Sequence, residues 1–446
     1  MSRVFSNPPK HAVVIGGSMT GLLTARVLSN HFDKVTIIER DPVHDSPESR
    51  KGQPQTRHLH GLLAQGLLII QELFPGIQDE LVQGGAITGD MGDFMHWYAF
   101  GGYRIAFKSN LTGMCMSRPF LEFHIRRRVL NLPNVTLLDS CAVSELVTTP
   151  DKKQVTGVRL NQRSADNTTD VLNADLVVDA SGRGSSAAKW LETLGYARPS
   201  ESRVKARLGY VTREYRRTIT DPDTLRIQMV TPAAPVERHG VFLFPIEGDR
   251  WIMTASGYVD DHPPATEAGL LEFLRNLPAK DAYNIISQSE PLTDIITYNY
   301  PASLRRHYEK LTSFPAGYLV IGDAIASFNP IYGQGMTSAA MQARALDESL
   351  RERVELKDLW KSFFKKAGKV VDIPWQLAVG EDFRFPQTEG AKPPMMDFLN
   401  AYVAKVHQAT HRDSVVYAAF LRVMNLMAPP TSLMSPGIFG RVLRNS

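Results

Sequence analysis

The chain has 446 residues, 43% of them hydrophobic and 22% charged, with a formal net charge of +4 at pH 7. That length exceeds one ordinary core and predicts two or three substructures, while the ordinary composition excludes a disordered or fibrous chain. The small positive charge is spread along the sequence, so no nucleic-acid partner is expected; the densest basic run, 126–128, falls in a helical pattern and reads as a solvated helix face.

The two cysteines, Cys115 and Cys141, form no CxxC pair, which argues against structural zinc and a disulfide framework and fits a reducing, cytoplasmic setting. The first strand begins almost at once, so no secretory leader is expected. No apolar run reaches the length of a transmembrane segment: GLLAQGLLII is too short and carries Gln65. The expectation is a monomer or homodimer with at most weak peripheral membrane contact.

In chain order, AVVIG reads as a buried parallel strand, GSMTG as a turn, LLTARVL as a buried helix and KVTIIERD as a second strand ending on Glu39. Strand, glycine turn, helix, strand and acid make the βαβ dinucleotide fingerprint, although Ser18 stands where the middle glycine belongs. Gly16 permits the tight turn and Gly21 lets the helix approach the sheet. The helix start, at Ser18, Met19 and Thr20, offers N–H groups to a pyrophosphate. The Ser18 hydroxyl suits a phosphate oxygen, and Glu39, with Arg40 beside it, suits a ribose. GGAITG at 84–89 has similar spacing, but IQDELVQ before it is no buried strand, so it reads as a loop.

Residues 90–116 are aromatic and alternating, with a Gly-Gly turn at 101–102 that predicts a hairpin. ADLVVDASGRGSSAAKWL reads as a strand, a turn through Asp179 and Gly182, and a helix capped by Ser185 or Ser186. Residues 203–300 hold several strands, a hairpin at Glu247–Gly248–Asp249 and one helix. GYLVIGDAIASFNPIYGQGMTSAAM is again a strand, then Gly322–Asp323, then a loop with Pro330, Gly333 and Gly335, then a helix of small residues. Beyond about 351 the chain is helical and rich in methionine. It is expected to pack across both domains, with an entrance lip as a sharper alternative.

These segments resemble the FAD-dependent aromatic hydroxylases and their relatives, the group A flavoprotein monooxygenases of the para-hydroxybenzoate hydroxylase-like fold. The similarity covers nearly the whole chain and is nearest to the bacterial polyether-type epoxidase branch, in RHLHGLL, NPIYGQGM and PWQLAVGEDFRFP. The resemblance implies an α/β fold: a discontinuous Rossmann-like FAD-binding domain (1–75, 117–190, 301–350), a split β-sheet substrate domain (76–116, 191–300) and a helical C-terminal region (351–446). It implies that Asp323 takes the ribityl chain, that residues 333–336, Met336 included, face the pyrimidine edge of the flavin, and that Arg118 and Arg50 reach FAD. One departure stands out: Ser181 replaces the aspartate of the DG motif, which bears on NADPH or NADH binding. No second glycine fingerprint supports a separate nicotinamide domain.

Trp97, Tyr98, Phe242, Phe244, Met253 and Tyr298 are candidates to line an apolar substrate cavity, with core packing of the sheet as the alternative. His58, His60, His96 and His124 lack ligand spacing, so no metal is expected. The resemblance implies an NAD(P)H-consuming monooxygenase acting through a flavin hydroperoxide on a polyketide, terpenoid or aromatic. Since the flavin carries the chemistry, no side chain is assigned as catalytic; Pro330 and Gly333 would lie near the reacting face. The missing WxWxIP stretch argues against a halogenase. A double-bond reductase and a flavin-binding cyclase or isomerase are the alternatives.

Overall fold

The computed structural model describes residues 11–50, 52–162, 169–218, 225–352 and 355–445. Five parallel strands form the first sheet, in the order Tyr318–Val320, Leu176–Asp179, His11–Ile15, Lys34–Ile38 and Val135–Leu138. The apolar runs of the first four are buried on both faces, as a parallel sheet covered by helices requires, while the edge strand Val135–Leu138 is partly exposed. Helix Met19–Leu28 packs against the long helix Gly335–Arg351, and Leu22, Leu23, Val27 and Leu28 are almost wholly buried. Each such side chain contributes about 1.5–3 kcal/mol, which anchors the turn that precedes the helix.

A second sheet has seven strands, ordered Ile296–Tyr300, Leu208–Arg216, Arg250–Gly257, His239–Ile246, Ile227–Val230, Met95–Ala99 and Gly102–Tyr103. Met95–Ala99 joins Ile227–Val230 in parallel, so a segment early in the chain completes a sheet built mainly from residues after 200. Helices Glu267–Asn276 and Asp281–Ile286 cover one face of this sheet, closing a core around Leu243, Trp251 and Met253. The other face is free to meet the C-terminal helices. Of these, Leu359–Asp382, Met396–Ala409, Ser414–Met424 and Pro436–Asn445 are described. No helix among the described residues is long and apolar enough to cross a membrane.

Three local expectations change. The hairpin turns at Phe100–Gly101, one residue before the Gly-Gly pair, because both residues take positive φ (52° and 85°) and Gly102 already pairs with Ala99. In GGAITG, Gly84 ends helix Ile77–Gln83 and Ile87–Asp90 pairs with Thr112–Cys115; no strand enters a βα turn there. The basic run is not a uniformly solvated face: Arg126 is buried and donates to the carbonyls of His44 and Ser46, while Arg128 pairs with Glu80 at 2.7 Å.

Candidate active site

Three glycine turns meet at the carboxyl edge of the first sheet, on neighbouring strands, the position where open α/β sheets bind ligands. Their contacts explain the glycines. Gly16 has φ +105°, and a Cβ there would lie 2.8 Å from the Ala180 carbonyl oxygen. A Cβ on Gly21 would lie 1.8 Å from the Gly16 carbonyl oxygen, so only glycine lets the helix sit on its own turn. Gly322, with φ +72°, abuts the Thr20 side chain. The first turn therefore touches both others, and segments more than 300 residues apart in sequence form one floor.

The outer end of this floor is a closed charge network. Glu39 is buried, accepts the Gly17 N–H at 2.8 Å and the Asp41 N–H at 3.0 Å, and lies 3.2 Å from Arg50 Nη1. Arg50 also donates to Glu122 Oε1 at 2.6 Å and to the Gly17 carbonyl at 3.1 Å. The Ser18 hydroxyl donates to Glu122 Oε2 at 2.9 Å and accepts from Arg118 Nη2 at 3.0 Å. Its proton is thus directed to a carboxylate, not toward a phosphate as expected. Glu122 was missed by sequence reading, although its place one turn after Arg118 on helix Arg118–Leu130 is the signal that could have found it.

The inner end is open. Asp323 is solvent-accessible yet walled by protein, and no hydrogen bond or ion pair joins it to another described residue. Burial by its surroundings raises its carboxyl above the ordinary range, against the pull of Arg118 and Arg183. Gln334 is 1% exposed, and neither its amide nitrogen nor its amide oxygen has a partner; the buried Arg118 Nε is likewise unpaired. Helix Gly335–Arg351 starts here with free first-turn N–H groups, and a Cβ on Gly335 would meet nothing within 4 Å. Buried amides are rarely left unsatisfied, so this cluster is shaped for a ligand with both donors and acceptors.

Other expected cofactor contacts sit elsewhere. Asp179 is fully buried and accepts from Ser181 N–H, the Ser181 and Ser185 hydroxyls and Tyr318 OH, so its carboxylate holds its own turn. Met19 and Met336 direct their side chains into the core, leaving only backbone to face the cleft. Arg40 is exposed and reaches the Gly52 carbonyl at 3.1 Å. Gly182, with φ +80°, has open space where a Cβ would stand.

Beyond Pro330 and Gly333 opens a cavity of about 710 Å³. Trp97, Phe242 and Phe244 line it, with Met229 and Tyr210 from the same sheet and Tyr258 just beyond strand Arg250–Gly257. Tyr98 and Met253 do not: they lie on the opposite face, in the core under helices Glu267–Asn276 and Asp281–Ile286. Adjacent strand residues point to opposite faces, so Trp97 and Tyr98 could never both line one cavity. Tyr298 packs on Tyr210 and His58 behind the wall. The far wall comes from the C-terminal region, including Trp375, Glu381, Val403, His407 and Phe420.

His58 donates to or accepts from Thr212 Oγ1 at 2.8 Å, and burial lowers it to about 4; His60 Nδ1 contacts the His58 carbonyl at 2.9 Å, and burial with Arg118 lowers it to about 3. Both are neutral rings beside the cleft. His96 and His124 are engaged with Gln228 and Glu80, and no group of metal-ligating side chains occurs among the described residues.

No protein-family model matches the chain. It is 33% identical over 454 aligned positions to protein Rv3254 of Mycobacterium tuberculosis, covering 99% of this chain and 94% of that protein. The chain belongs to the family of that protein. Among solved structures it resembles PqsL, a probable FAD-dependent monooxygenase from Pseudomonas aeruginosa (TM-score 0.62, 17% identity, 84% of this chain and 99% of that one). It also resembles the flavin-dependent brominase Bmp2 (TM-score 0.67, 14% identity, 98% of each chain). A flavoprotein/dehydrogenase from Cytophaga hutchinsonii gives a TM-score of 0.63 at 14% identity, over 93% of this chain and 92% of that one. At these identities the likeness is one of fold: the chain has the FAD-binding fold shared by monooxygenases and halogenases.

Proposed function

We propose that the protein is an FAD-dependent monooxygenase that consumes NADPH or NADH and inserts one oxygen atom from dioxygen into an apolar substrate by epoxidation or hydroxylation. One observation carries this reading: the orphaned Gln334 amide, at the open helix start of Gly335, lines an apolar cavity, next to the loop that follows Asp323, which has no hydrogen-bond or ion-pair partner among the described residues. The donor and acceptor set fits FAD. Asp323 would accept from ribityl hydroxyls, the helix start and Gln334 would meet the pyrimidine edge of the ring, and Arg118 with the Glu39 network would hold the outer part. When bound, FAD would supply the redox and oxygen-activating chemistry. The chain's own task is to orient the substrate over Pro330 and Gly333 and to exclude water, which Trp97, Phe242 and Phe244 do by lining the cavity with apolar surface. The polyether-type epoxidase resemblance favours epoxidation within this class.

The test begins with an absorption spectrum of the purified protein, expected to show flavin bands. Anaerobic NADPH or NADH should bleach them, and an acceptable polyene or phenol should stimulate reductant oxidation with matching oxygen consumption. A colourless protein that gains no bands with added FAD overturns the reading. A second reading draws on Ser181, whose hydroxyl donates its proton to Asp179 at 2.5 Å and so offers a nicotinamide no donor and no carboxylate. It is a flavin-binding cyclase or isomerase without net redox chemistry, and bound FAD that no nicotinamide bleaches would favour it. Bleaching without oxygen uptake during turnover would instead mark a double-bond reductase.

A further inference from the structure

A polar spot on the wall of the apolar cavity, outside the candidate cofactor cleft, has its hydrogen-bonding pattern fixed by groups behind it. Arg104 is buried, its guanidinium 3.9 Å from the Trp97 ring centroid and 4.5 Å from that of Phe420. Its Nη2 lies 2.8 Å from His407 Nδ1. A guanidinium only donates, so Nδ1 must carry the lone pair and the ring proton must sit on Nε2. That Nε2–H stands 3.9 Å from Glu381 Oε1, beyond hydrogen-bond distance, while Glu381 Oε2 lies 2.8 Å from Arg384 Nε. Both Glu381 and His407 line the cavity. A donor and an acceptor thus stand side by side on the cavity wall, close enough for one oxygen atom, placed off the line between them, to lie about 2.8 Å from each.

We propose that Glu381 and His407 form a subsite for a hydroxyl group, so that the substrate is an apolar molecule bearing an alcohol or phenol. A hydroxyl accepts from Nε2–H and donates to Oε1 at once. An ether or ketone only accepts, an ammonium only donates, and a hydrocarbon does neither. The protonation states support this pairing. Burial, with Arg104 beside it, lowers His407 to about 4, so the ring is neutral. Burial opposes ionisation of Glu381, but Arg384 and His407 outweigh it and hold the carboxyl at about 2. A ligand lacking the hydroxyl would cover both groups without replacing the hydrogen bonds they make to solvent. Sites built around a hydroxyl reject analogues lacking it strongly, because the polar groups are left unpaired.

The inference rests on the cavity being the substrate site, as proposed above. Its test uses matched probes on the FAD-loaded protein, with calorimetric titration of 4-hydroxybiphenyl, 4-methoxybiphenyl and biphenyl, and of farnesol with its methyl ether. The hydroxylated member of each set should bind at least about 10-fold more tightly than its ether. His407→Phe should erase the preference while changing biphenyl affinity less than about threefold. Glu381→Gln, which keeps an acceptor and the side-chain shape, should shrink the preference with unchanged flavin content and serves if His407→Phe does not fold. Equal affinity for alcohol and ether, a preference that survives the folded variants, or failure of every probe to bind overturns the proposal. If FAD does not bind at all, the function reading fails separately, and the same titrations on the flavin-free protein still decide the hydroxyl preference.

Discussion

The two ends of the crevice are built on opposite terms. At the outer end, Glu39, Arg50, Glu122, Arg118 and Ser18 pair with one another, and the charges are balanced before any ligand arrives, although Arg50 Nη1 and Arg118 Nε make no hydrogen bond. At the inner end, the side chains of Asp323 and Gln334 have no hydrogen-bond or ion-pair partner among the described residues. A pre-neutralised region positions without needing its ligand, whereas an unsatisfied region gains most when the ligand comes. Mutations at the first should therefore be felt by the folded protein, and mutations at the second by the ligand.

The largest expected effect falls on the glycine floor that carries both ends and sets the scale for the contrast. Gly21→Val forces a Cβ into the Gly16 carbonyl, and backbone cannot yield as a side chain can. A loss of about 3 kcal/mol or more in unfolding free energy is expected, together with loss of bound flavin, and thermal melts with flavin release would measure both. Next, Asp323→Ala should weaken FAD binding about 10- to 100-fold while leaving the melting of the flavin-free protein nearly unchanged. If the flavin-free protein is destabilised as much as by Gly21→Val, the contrast between the two ends breaks.

Asp382 sharpens the contrast through pH. It accepts from Asn329 at 2.7 Å and from Tyr332 at 3.1 Å, and so ties the C-terminal region to the loop around Pro330. Burial raises its carboxyl to about 7, aided by Glu381 and opposed by Asn329 and Tyr332. The unfolded chain titrates near about 4, so the folded state holds this proton longer. The associated stability is fully present below pH about 4 and is lost as pH rises toward about 7. Denaturant titrations between those pH values should show this decline in the wild type, and Asp382→Asn should remove it. A slope that persists in Asp382→Asn would assign it to another group.

The smallest effect belongs to Ser18. Ser18→Gly removes one hydroxyl from a network whose Arg50–Glu122 pair remains, and should cost about 1 kcal/mol with FAD retained. Ser18→Val adds bulk at the turn and should lose more flavin. Equal flavin occupancy in the two variants would place Ser18 away from the ligand.

What could be read from the sequence followed from periodicity and sterics. Gly16, Gly21 and Gly322 were legible because backbone contact leaves no alternative to glycine, and the strands around them because apolar runs between turns have few other uses. The substrate wall was half legible. Phe242 and Phe244 share a face by alternation, but which face of the sheet lies toward the cavity depends on the helices that cover the other, and that sent Tyr98 and Met253 to the core. Asp179 was misread because its partners, Ser181, Ser185 and Tyr318, assemble only when two strands meet. The C-terminal wall left no periodic mark: a helix facing a cavity has the same apolar stripe as one facing a core.

The helix Leu359–Asp382 carries a consequence for how such a protein can diverge. Its first turns, at Trp360, Phe363 and Phe364, are rooted in the core beneath the parallel sheet, while Trp375, Leu377, Val379 and Glu381 emerge at the cavity. One strut thus suspends an exchangeable panel from a fixed frame. Drift beyond Pro374 can alter which molecule is admitted while the frame that forms the crevice stays as it was. Grafting residues 375–434 between homologues should accordingly transplant ligand preference as a unit.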